Sequence, residues 1–253
     1  MGRSFTVTCQ FLTIVQEVAL LYFSQDVTPV SDRVPLSFAE AKYQKLLSWS
    51  DTLSGDLAWH ENCAAHLIIF HMWFHSAVLD IFRPFLQTEK YHRLISFASK
   101  DSSPRAVFSA SVNQLKRLAV IYRSKHISTT YMPYVNGSLV HIADTVLKDK
   151  TDPNWKYYFM LCIRCWQQLY IGHPIFGDIA RASLSMATKN DRITKDEANI
   201  LLAELQELGY HHRFAQSVIT TSIIVDYDLA MTNRDEARVR TLAISFTDTK
   251  LFS

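Results

Sequence analysis

His71 and His75 stand four residues apart in HMWFHSAVLDIFRPFL, the stretch from His71 to Leu86. On a helix that spacing brings two imidazoles to one face, where they could share a metal ion. A zinc hydrolase of this pattern needs a glutamate beside the first histidine, and Met72 stands there instead. His60-Glu61 supplies a glutamate, but Ala64 occupies the place of its second histidine. His66 is five residues before His71 and falls off its face. No acid close in sequence supplies a third ligand. The pair is therefore read as two buried or half-buried histidines, with no metal and no cofactor.

Cys162 and Cys165 form a CxxC, but Cys9 and Cys63 do not make a second pair in sequence. A redox CxxC follows a strand and opens a helix. This one lies inside an aromatic helical pattern, so the two thiols read as small core residues. Asp226, Asp228, Asp235 and Glu236 could suggest paired carboxylates. The sequence places no partner for them across a cleft, and they read as scattered acids on exposed helix faces. His211, His212 and Arg213 read as a solvated turn. There is no Gly-x-Gly-x-x-Gly, no P-loop and no Gly-x-Ser-x-Gly elbow. An enzyme is not expected.

The elements that must position these residues are helical. Of 253 residues, 48% are hydrophobic and 12% aromatic, ample for a large core. Six glycines are few for phosphate-binding turns, and a net charge of +2 implies no broad basic surface for nucleic acid. Four unevenly spaced cysteines indicate a reducing compartment. The apolar N-terminal stretch is interrupted by Gln10, Gln16 and Glu17, so neither a signal peptide nor a membrane span is expected. Gly2 with Thr6 loosely fits a myristoylation pattern, against which Arg3 argues.

Phe11, Ile14, Val15, Val18, Leu21 and Tyr22 fall on one face of a first helix. Ser37 and Glu40 fit a capping box for a second. The third, roughly His60 to Phe85, is apolar nearly all round, with Ser76, Asp80 and Arg83 as a narrow polar strip. Such a helix is a buried central one, and Pro84 ends or kinks it. Ser103-Pro104 caps a fourth, with Lys116, Arg117 and Arg123 facing water. Pro133, Asp152-Pro153 and Gly172-His173-Pro174 open three more. Thr194 and Glu197 form a second capping box, and Gly209 stops the helix that follows. The β-branched stretch from Ser217 to Met231 favours a strand, but no partner strand is evident, so it is assigned to a helix. A short last helix starts at Thr232. The expectation is an all-α fold, one domain over residues 1–253, an irregular bundle of nine or ten helices around a long central helix.

The stretch from Ile68 to Leu86, IIFHMWFHSAVLDIFRPFL, resembles a long helix in the regulatory (middle homology) domain of fungal binuclear zinc-cluster transcription factors. Three further blocks agree in order: Ser109–Arg123, Trp155–Ala187 and Ile223–Ala243. They look most like the branch of nitrate-assimilation regulators. The resemblance implies a regulatory, effector-sensing domain in the nucleus, controlling transcription through a small-molecule effector or a regulatory protein. It makes His71, His75 and Arg83 candidates for sensing that signal. Arg83 also fits a local role, bonding Asp80 or the carbonyls of a helix end.

Members of that family reach DNA through a six-cysteine zinc cluster, and no such pattern occurs in this chain. The start resembles a middle segment of the regulatory domain, so the chain is expected to be N-terminally truncated. The third helix would then lose partners on one side and the chain would self-associate as a homo-oligomer. DNA binding by this chain alone is not expected, nor is a membrane partner. An interaction scaffold without a ligand is the first alternative, and a metal-dependent hydrolase on His71 and His75 the second.

Overall fold

The 3.6-residue periodicity of the sequence is what the backbone adopts. The computed structural model describes residues 2–23, 28–53, 60, 63–86, 93–97, 102–126, 132–208 and 223–248. Among the described residues there are eleven α-helices and no strand, so the fold is all-α. The chain divides into two compact units, Met1–Ala119 and Val120–Ser253.

In the first unit, α1 (Gly2–Tyr22) runs before the short α2 (Val30–Arg33) and α3 (Leu36–Asp51). Helix α1 buries Val7, Phe11, Ile14, Val18 and Tyr22, spaced by threes and fours. Leu21, expected on that face, is exposed, as are Phe5, Leu12 and Leu20. The inner face of α1 meets α3: the Trp49 indole donates to the Val7 carbonyl at 2.8 Å, and Phe11 lies 5.0 Å from the Trp49 ring. Glu17 pairs with Lys42 and Lys45 on α3.

Helix α4 (Ala65–Phe82) starts five residues after the expected His60. It buries ten side chains, among them Ile68, Met72, Val78 and Phe82. Pro84 acts as expected: the α-helix stops at Phe82 and Arg83–Phe85 forms a single 3₁₀ turn. Helix α5 (Pro104–Lys125) begins at its expected cap, with the Ala106 amide donating to the Ser103 hydroxyl at 3.1 Å. Lys116 does not face water as expected; it is 7% exposed.

The expected capping box at Ser37 and Glu40 is not formed. Pro35 occupies the N-cap of α3 and no side chain caps it. Glu40 is instead buried and accepts from the amides of Ile95 and Ser96 at 2.8 and 3.1 Å. A carboxylate that can take two main-chain amides from another loop gains more from them than from its own helix end.

The second unit takes in the last turns of α5 and continues with a 3₁₀ turn, Pro133–Val135, and α6 (Asn136–Lys148). Then follow α7 (Trp155–Gly172), α8 (Ile175–Lys189) and α9 (Lys195–Leu208). Each packs on its sequence neighbour. The Trp166 indole fixes α7 to α6 by donating to the Asn136 side chain at 2.9 Å. The Thr194–Glu197 capping box is present. The Thr194 amide donates to the Glu197 carboxylate at 2.9 Å, and the Glu197 amide to the Thr194 hydroxyl at 3.1 Å. Gly209 and His211–Arg213 lie outside the described residues.

The helix assigned to Ser217–Met231 is corrected over its described part. Ile224 forms an isolated antiparallel bridge with Arg238. The Val225 amide donates to the Ala237 carbonyl at 3.1 Å and the Val239 amide to the Ile223 carbonyl at 2.9 Å. The β-branched run thus takes extended backbone, and its partner is a piece of chain whose sequence reads as helical. Only α10 (Tyr227–Ala230) is helical there, and a turn follows. The last described helix, α11 (Val239–Asp248), starts seven residues after the expected Thr232 and packs along α8.

Two helices have the length and composition to cross a membrane, Phe5–Tyr22 and Ala65–Phe85, each with a mean hydropathy of 1.4. In the fold, 56% of the second window is buried but only 22% of the first, because α4 is a core helix and α1 covers α3 with one face alone.

Candidate functional site

The residues singled out in the sequence fall in different surroundings. His71 and His75 are half-buried on α4. The Nε2 of His71 and the Nδ1 of His75 are buried and have no hydrogen-bond partner. Burial lowers the pKa of His71, and burial with the charge of His71 lowers that of His75 to about 4. Both rings are thus neutral at physiological pH. Among the described residues no group of three His, Cys, Asp or Glu side chains stands together to hold a metal ion.

Arg83 is 6% exposed, with its guanidinium 5.4 Å from the Phe108 ring. The polar strip expected at Ser76, Asp80 and Arg83 therefore does not extend to Arg83. Its planar cation is packed against an aromatic face, a contact that suits arginine. Beside α4, an apolar cavity of about 50 Å³ is lined by Ile14, Val18, Leu46, Ala77, Asp80 and Ile81, with Asp80 its one charged side chain. That is far smaller than the several hundred Å³ of ordinary ligand pockets. A broad open groove of about 600 Å³ runs between α1 and α3, lined by Gln10, Thr13, Gln44, Lys45, Ser48 and Trp49 among others.

The CxxC behaves as packing. Cys162 and Cys165 are buried in α7, and the Cys162 thiol donates to the Leu139 carbonyl at 3.4 Å. Burial raises both thiols, Cys165 to about 11, so neither is a ready nucleophile.

The acids at 226 and 228 do have a partner, one that no local pattern signals. Lys148, at the C-terminal end of α6, reaches Asp144 at 2.5 Å, Asp226 at 2.7 Å and Asp228 at 2.8 Å. Asp226 also caps α10 by accepting from the Leu229 amide at 3.0 Å. Burial alone would depress the Lys148 ammonium. The charges of Asp144, Asp228 and Asp226 outweigh that and raise its pKa. Two turns back from Lys148 on the same face of α6, the His141 ring lies flat on Tyr227, centroids 4.1 Å apart and planes within 4°. Asp144 and Lys148 were readable as an i, i+4 pair. The two aspartates some 78 residues further on were not.

A comparison with models of protein families, with curated proteins and with solved structures finds no match to this chain.

Proposed function

We propose that this chain is a regulatory domain of the fungal zinc-cluster transcription factor type, acting in the nucleus and controlling transcription in response to a small-molecule effector or a regulatory protein. The observation that carries this reading is the order of four sequence blocks. Ile68–Leu86 spans α4 and its 3₁₀ turn, and Ser109–Arg123 lies within α5. Trp155–Ala187 covers α7 and α8, and Ile223–Ala243 covers the bridge, α10 and the start of α11. These are packing elements in both units, so the likeness rests on core helices rather than on one short motif. His71 and His75 do not line the small apolar cavity beside α4, so neither side chain supplies a polar group to it.

The test is a fusion of the full chain to an unrelated DNA-binding domain, read on a reporter gene in a fungal host. Reporter output that differs from the DNA-binding domain alone supports the reading. Output that stays the same under every nitrogen and carbon source tried removes it.

A second reading, an interaction scaffold with no part in transcription, is favoured by α1. Its outer face carries Phe5 at 73%, Leu12 at 53% and Leu20 at 70% exposure. Glu17, on the same helix, is engaged by Lys42 and Lys45 of α3 and is not part of this strip. A second copy of the chain, meeting it strip to strip, is the occupant that this reading takes. The self-association expected from an uncovered α4 is thereby moved to α1. Sedimentation across a concentration series, with Leu12→Glu as the comparison, decides it: a dimer lost in the variant supports the strip, and a monomer in both removes it.

A further inference from the structure

The segment from Ile223 to Arg238 is held unlike the rest of its unit. Its backbone pairing is a single bridge. Of its apolar side chains only Val225, Ala230 and Ala237 are buried, and the turn 232–236 is exposed. Polar contacts fasten it to α6: Lys148 to Asp226 and Asp228, and His141 against Tyr227. Part of the α6 surface that it meets is polar as well. His141, Asp144 and Lys148 share one face of α6, with His141 2% and Asp144 1% exposed.

That pairing of surfaces has an unusual energetic result. A segment lying on an apolar helix face is kept shut by the hydrophobic effect. A segment seated partly on a carboxylate and an imidazole gives up less, and its fully buried apolar side chains, Val225, Ala230 and Ala237, are small. The groups beneath it regain water. The Lys148 ammonium is then a main contributor to closure. With Lys148 in place, three carboxylates each lie within 2.8 Å of the same nitrogen. They are therefore held within about 6 Å of one another, where like charges repel. Without the ammonium the strap carboxylates are pushed from Asp144.

We propose that Ile223–Arg238 is a strap latched by Lys148, and that its lifting uncovers His141 and Asp144 on α6 while α11 stays packed on α8. This is a conformational switch in the second unit, and it does not depend on the chain's being a transcriptional regulator.

Hydrogen–deuterium exchange on the full chain tests it. Asp226→Asn with Asp228→Asn keeps the Lys148–Asp144 pair and keeps an N-cap side chain at 226. It removes only the strap's charges. Peptides from 223–238 should then exchange about tenfold faster or more, with α7 and α8 unchanged. Lys148→Arg should stay close to the wild type. High salt should speed exchange of the strap in the wild type and not in the double variant. Unchanged exchange at 223–238 in the double variant would overturn the latch. So would protection lost equally across α6 to α9, because the cluster would then be part of the core.

Discussion

The Tyr22 phenol on α1 donates a hydrogen bond to the Ile81 carbonyl on α4, at 2.9 Å. Pro84 ends that helix and cannot donate to the carbonyls behind it, so a hydroxyl from another helix supplies a bond at its end. Tyr22 is 4% exposed, and burial, then the Asp80 charge, raise its pKa far above the ordinary phenol value. Tyr22→Phe keeps the ring and leaves a buried carbonyl without this donor. The expected loss is about 1–3 kcal/mol of stability, read from urea unfolding midpoints at unchanged slope.

His71 and His75 should make the fold sensitive to acid. In the unfolded chain both titrate near 6.5, and in the fold His75 is depressed to about 4 with His71 lowered too. Above the unfolded value both states are neutral and stability is at its full level. As pH falls from about 6.5 towards about 4, the unfolded chain takes up protons that the folded chain refuses, and stability is lost. His75→Gln should flatten that slope by on the order of 2 kcal/mol, after allowance for partial exposure. Carboxylates contribute in the same range, so the readout is the difference between the two proteins. Equal slopes would show that His75 is not held neutral.

Gly177 and Gly137 should respond to alanine with opposite signs. A Cβ at 177 would lie 2.7 Å from Cε2 of Tyr170, a ring packed between α7 and α8. Gly177→Ala should cost about 1–3 kcal/mol, the range for overpacking. At 137, within α6, a Cβ meets nothing within 4 Å. Gly137→Ala should stabilise by about 0.5–1 kcal/mol through helix propensity. Thermal unfolding of the two variants checks both signs.

Thiol chemistry should separate Cys9 from the other three. Cys9 is exposed, whereas Cys63, Cys162 and Cys165 are buried. Intact-mass measurement after brief maleimide treatment should show one adduct on native protein, mapped to Cys9, and four only after denaturation. Rapid native labelling of Cys165 would contradict its raised pKa.

What could be read from the sequence was local. The cap at Ser103, the box at Thr194 and Glu197 and the stop at Pro84 each involve residues within four positions of one another, and all are present. Ser37 and Glu40 carried the same local signal and misled, because Glu40 has a better partner 55 residues away at Ile95. The strap failed for the same reason. Its β-branched run pointed to extended backbone, but the pairing segment at Arg238 carries no strand signature. For the candidate sites, the spacing of His71 and His75 was legible and their shared helix is real. The Lys148 cluster was not legible, since its members come from α6 and from a segment far along the chain.

The packing of α11 on α8 has a consequence for how this unit comes together in time. Helices α6 to α9 touch in chain order, so they can assemble as they are synthesised. Helix α11 begins some 50 residues beyond the end of α8. At roughly 5–20 residues per second that is a wait of several seconds. During it the α8 groove and the polar face of α6 are both bare. The pairing that closes the unit is therefore the slow, non-local step, and a nascent chain halted before Val239 would present that groove to chaperones.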